Sequence, residues 1–243
     1  MTSRAIPEEI KRIVRRRSGF GCVICGLPIF DYEHIEEFSV EQAHDDNNIV
    51  LLCPLHHAEK TRKRLDKAVI RRAAANPVNL SKDRTAGHVH LMVGDQALFE
   101  VGGNKYEFSF GAVDGRFDAI RIGAHTVLGL SAEDGCLLLD VSLTDQVGVE
   151  VLRIERGEMT ISTGVWDYRI VGPTVTINSA ERMISLEMDF VPQGVIIRRG
   201  MFVRPPVTLL IEPHQHQIFT NGSPRMTMSG STMRQCRVGM QIG

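Results

Sequence analysis

The sequence predicts an α+β chain: a small metal-stapled N-terminal domain with helices, followed by a larger all-β domain. Three observations lead there. Residues 21–57 concentrate cysteines and histidines between two helix-like stretches. Residues 76–87, NPVNLSKDRTAG, break the helical texture with Pro, Asn and Gly. Beyond residue 88, short apolar runs follow one another between Gly, Asp, Asn and Pro, without an amphipathic helix. The expected boundaries are residues 1–75 for the first domain, 76–87 for a linker, and 88–243 for a β domain built as a sandwich or a β-solenoid.

Composition narrows the class before any motif is considered. A chain of 243 residues with 43% hydrophobic and 23% charged residues suits a globular fold rather than disorder. The net charge of −1 hides an asymmetry: residues 1–85 carry about +3 and the remainder about −4. Any polyanion partner is therefore expected at the N-terminal part. No apolar run approaches the roughly 20 residues of a membrane span, and MTSRAIPEEIKRIV lacks the apolar centre of a secretory signal. Five cysteines, three of them at metal-like spacing, argue against a disulfide framework and for a reducing cytoplasm.

Taken in order, PEEIKRIVRRR (7–17) opens with Pro and two acids and closes on arginines, the charge order that a helix dipole favours. FDYEHIEEF reads as a strand, and HDDNNIVLLC as a polar loop entering an apolar strand. HAEKTRKRLDKAVIRRAAA (57–75) has strong helix formers, with Leu65, Ala68, Val69 and Ala73 near helical spacing, and is expected to form one basic helix. In the β domain, residues 184–190, ISLEMDF, alternate strictly between apolar and polar. Cys136, Cys236 and Trp166 are expected in the core, and the HVH (88–90) and HQH (214–216) pairs are read as incidental.

The metal ligands come from two matched pairs. Cys22-x-x-Cys25, with Gly26 directly behind it for a tight turn, forms one knuckle, and Cys53-x-x-His56 forms the other at the same gap. Together they make a closed tetrahedral site of three cysteines and one histidine for structural Zn2+, which staples a region too small for a core of its own. The doubled His56-His57 leaves a second register open, with His57 on zinc instead.

Glu33, His34, His44, Asn47, Asn48 and His57 remain outside that site. With them, the segments CVIC, YEHI, NNIVLLC and PLHHAEKT resemble, in order and spacing, the HNH endonuclease family over about residues 18–61. The resemblance implies a ββα fold around one catalytic divalent ion, often built on a treble-clef zinc site. It implies that His34 is the general base, that Glu33 and His57 hold Mg2+, Mn2+ or another divalent transition metal, and that Asn48 (or Asn47 by one position) braces the loop. His56 stands where the family usually has Cys, and Glu33 where it more often has Asp.

The chemistry suits such a division. Phosphodiester hydrolysis needs a base and a Lewis acid, and imidazole is unprotonated near neutrality. Arg15, Arg16, Arg17, Lys60, Arg62, Lys63 and Arg64 are the candidate phosphate contacts on DNA. The β domain is left for targeting, regulation, oligomerisation, or a protein or ligand partner. The competing reading is a treble-clef zinc finger that binds DNA or acts as an adaptor without catalysis. His44 is expected to be a surface loop residue.

Overall fold

The computed structural model describes residues 5–89, 92–111 and 115–243. It is mostly β, and among the described residues its helices all lie before residue 83. The chain forms two compact units: Met1–His88 with Thr160–Tyr168, and Val89–Met159 with Arg169–Gly243. No helix among the described residues is long and apolar enough to cross a membrane.

The first unit begins with α1 (Glu8–Arg17), which starts after Pro7 and carries Glu8 and Glu9 in its first turn and three arginines in its last. β1 (Asp31–His34) pairs antiparallel with β2 (Ile49–Leu52), setting Glu33 opposite Val50 and His34 opposite Ile49. Between them lie α2 (Phe38–Glu41), a single turn, and a 3-10 turn at Asp46–Asn48, capped where Asp45 accepts from the Asn47 N–H. α3 (Pro54–Thr61), α4 (Lys67–Ala75) and β3 (Arg84–Val89) follow.

All four residues of β2 are buried, and strand alternation assigns them to two cores. Val50 and Leu52 pack with Cys22, Val23, Ile35, Cys53 and Ile70. Ile49 and Leu51 pack with Val14 and the partly buried Ile6, Ile10, Phe30 and Tyr32. Each such side chain contributes about 1.5–3 kcal/mol by burial, so this short strand ties the knuckles on one side to α1 on the other.

Three expectations are corrected here. The basic stretch 57–75 is two helices, because Lys63 takes a left-handed φ of +58° and Asp66 caps a new helix by accepting from the Ala68 N–H at 2.6 Å. Arg62, Lys63 and Arg64 therefore lie in or beside the turn rather than on the helix that carries His57. Residues 76–87 are not a free linker, and the unit does not stop at residue 75. Asn79 and Thr85 are 3% and 0% exposed. The Asn79 amide donates to the carbonyls of Gly19 (3.1 Å) and Gly26 (2.9 Å), and the Thr85 hydroxyl donates to Gly26 at 2.7 Å.

The segment Thr160–Tyr168 also belongs to this unit, although it lies far along the chain from the main body. Asp167 receives two hydrogen bonds from Arg15, from Nε at 2.7 Å and Nη2 at 2.6 Å, while Arg15 Nη1 donates to the Tyr32 hydroxyl at 2.6 Å. The ring of Tyr168 meets that of Phe20 edge-on at 6.3 Å, and the half-buried Trp166 lies under the Arg12 guanidinium at 4.7 Å.

The second unit is built from hairpins. In one sheet strands 115–122, 125–133, 136–144 and 150–155 pair antiparallel in sequence order, and 238–242 returns parallel to 115–122. In the other, strands 174–180 through 223–228 form an antiparallel meander, and 96–101 joins parallel to 194–204. Gly194 permits that joint, since a Cβ there would stand 1.8 Å from the Leu98 carbonyl oxygen. The sheets meet through Phe108 stacked on Phe117 at 5.3 Å, and through Arg204 donating to Ser142 and Thr144 at 2.6 Å each. Consecutive strands turn back as hairpins, so the stacked parallel coils of a solenoid do not describe the pairing. Cys236 is exposed and Cys136 partly so, against the expectation that both are core. His90 lies outside the described residues, whereas His216 is fully buried against Asn104.

Candidate metal centre and the carboxylate–imidazole site

Cys22, Cys25, Cys53 and His56 come together with all four ligand atoms within 4.8 Å of one another. The knuckle forms because Cys22 pairs its N–H with the Leu27 carbonyl and its carbonyl with the Gly26 N–H, at 3.0 and 2.7 Å. Gly26 has φ +83°, and a Cβ there would meet Asn79 Oδ1 at 2.2 Å, so the residue after the second cysteine has to be glycine. Cys53 is the N-cap residue of α3, one turn before His56. Cys25 Sγ lies 3.7 Å from Cys53 Sγ, close to the edge of about 3.8 Å that a tetrahedral zinc with roughly 2.3 Å sulfur bonds requires. His56 Nδ1 is 3.3 Å from Cys22 Sγ and 3.2 Å from Cys53 Sγ. The four residues can hold a structural metal ion. Partial desolvation and the adjacent Cys22 and Cys53 sulfurs push the Cys25 thiol up to about 12, against the pull of the Leu27 backbone. A cation therefore loads by displacing protons.

His57 belongs to neither knuckle. One helical step turns it about 100° from His56, and its Nε2 lies 2.8 Å from Glu33 Oε2. That pair is partly open, with side chains 39% and 18% exposed. Two ligand atoms on neighbouring corners of an octahedral ion such as Mg2+ stand about 3 Å apart, so this carboxylate and imidazole have a fitting donor set and spacing.

Glu33 and His34 are the last two residues of β1, and Glu33 reaches His57. His34 meets His44 instead, Nε2 to Nδ1 at 3.2 Å, and both rings pack on Phe38, which stacks on His44 at 4.8 Å. His44 is the residue that sequence reasoning missed. Its only local signal was a histidine beside DDNN, and the contact depends on how the loop folds back. Asn48, not Asn47, braces the loop: its Oδ1 accepts from the Glu36 N–H at 2.7 Å and its Nδ2 donates to the Glu36 carbonyl at 2.9 Å. Asn47 is exposed. Lys67 adds a clamp, donating to Glu36 and Glu37 at 2.8 and 2.7 Å.

The expected phosphate contacts separate into groups. Arg15 is 2% exposed and committed to Asp167, which removes it from any ligand surface. Arg17 turns inward to the Ile49 carbonyl at 2.9 Å and to Asp46. Lys60 is 8% exposed and points at Glu33. Arg16, Arg62, Lys63 and Arg64 are exposed. No protein-family model matches this chain, and no match was found among curated proteins or among solved structures.

Proposed function

We propose that the first unit is an HNH-type, metal-dependent endonuclease hydrolysing DNA phosphodiester bonds, with β1, β2 and α3 as its ββα-metal element. The observation that carries the reading is the division of the adjacent histidines, His56 to the three-cysteine cluster and His57 to Glu33 at 2.8 Å. In this reading the cysteine–histidine site holds zinc and staples the unit. Glu33 and His57 hold Mg2+ or Mn2+, which when bound would offset charge on the phosphate and the leaving oxygen. His34 takes the proton of the attacking water, and Asn48 keeps the following loop in register with β2. Arg16, Arg62, Lys63 and Arg64 supply phosphate contacts. The β unit targets, oligomerises or regulates the nuclease, and free thiols suit a cytoplasmic setting.

The test is plasmid nicking by the full chain across a Mg2+, Mn2+ and other divalent-metal series. His34→Ala should lose roughly 10²–10⁴-fold in rate while keeping its zinc. Equal nicking by wild type and His34→Ala overturns the reading. A second reading, a zinc-finger DNA-binding or adaptor module without chemistry, has one observation in its favour: both carboxylate oxygens of Glu33 already have partners within the protein. DNA binding without nicking in any metal would favour it.

A further inference from the structure

Lys60 follows His57 by three positions, so α3 presents an imidazole and an ammonium on one face. Both reach the same carboxylate. Lys60 Nζ is 2.5 Å from Glu33 Oε1 and 3.9 Å from Glu37 Oε1, while His57 Nε2 is 2.8 Å from Glu33 Oε2. The lysine side chain is 8% exposed, so water does little to screen its charge. A divalent ion bonded to Glu33 would stand within roughly 4–5 Å of that ammonium, a separation at which like charges in a partly buried site repel strongly.

From this we infer that Lys60 is the built-in counter-ion of Glu33. It competes with the divalent ion for the carboxylate and sets the ion concentration at which the Glu33–His57 site loads. The inference rests on the metal-site part of the proposed function and adds a residue that regulates it. A purely structural lysine would affect folding and leave ion affinity unchanged or weaker. A competing lysine makes the opposite prediction: removing its charge tightens the site.

The experiment is a Mn2+ titration of the zinc-loaded full chain, followed by calorimetry and by the electron spin resonance of free Mn2+. Lys60→Met should bind Mn2+ on the order of tenfold more tightly than wild type. Lys60→Arg, which keeps the charge, should stay near wild type, and Glu33→Gln combined with Lys60→Met should lose the ion. Thermal melting identifies the folded variants, and Lys60→Gln replaces Lys60→Met if the latter does not fold. Mn2+ uptake at unchanged or lower affinity overturns the role of Lys60 alone. Absence of Mn2+ uptake by wild type and by the neutral variants overturns the Glu33–His57 metal site together with it.

Discussion

Three successive arginines end α1, and each meets a different environment because a helix turns about 100° per residue. Arg16 faces solvent, Arg17 anchors the 46–49 loop, and Arg15 is buried against Asp167, Tyr32 and Glu8. Burial alone would lower the Arg15 pKa, yet its hydrogen bonds to Asp167 and Tyr32 hold it well above its ordinary value, so the guanidinium stays charged. Removing one partner of such a pair leaves a buried charge unmatched. Arg15→Ala or Asp167→Ala should each cost about 3–5 kcal/mol in chemical denaturation, whereas Arg16→Ala should stay within about 0.5 kcal/mol. The sequence placed all three in one basic patch. Asp167 lies 152 positions from Arg15, a separation that no local pattern reveals.

At the scale of elements, the knuckles were legible because their geometry is local. Two-residue gaps, a glycine after Cys25 and a proline opening α3 determine where four ligand atoms fall. Which of His56 and His57 joins the cysteines stayed open in the sequence; the fold gives His56 to the cluster and His57 to Glu33. The expected outcome is one zinc per chain by elemental analysis, lost in Cys53→Ala. A strong chelator should unfold the first unit, read as loss of its helical signal, since zinc-binding energy in a small fold is folding energy. Less legible were the break between α3 and α4, which depends on Asp66 acting as a cap, and the approach of His44 to His34, which needs the α2 turn folded back. Helix propensity ran straight through residues 57–75, and only the cap and the left-handed Lys63 show why the chain turns.

For the molecule as a whole, strand texture marked the β region correctly, but pairing order and unit boundaries depend on contacts between distant residues. NPVNLSKDRTAG has the composition of a linker, yet Asn79 and Thr85 hold the first knuckle by the Gly26 carbonyl. A fragment ending at His88 would keep all four residues of the cysteine–histidine cluster and lose Asp167 and Tyr168. It should melt well below the full chain, with Arg15 accessible to modification by glyoxal reagents, and introducing Arg15→Met into it should recover part of the loss. A fragment as stable as the full chain would contradict this account. The late position of Asp167 also has a temporal consequence. During translation, α1 leaves the ribosome long before its buried partner is synthesised, so the N-terminal unit stays incomplete until residue 168 of 243 has emerged. Products ending between residues 64 and 167 would carry every candidate site residue and lack the Asp167 that pairs with Arg15.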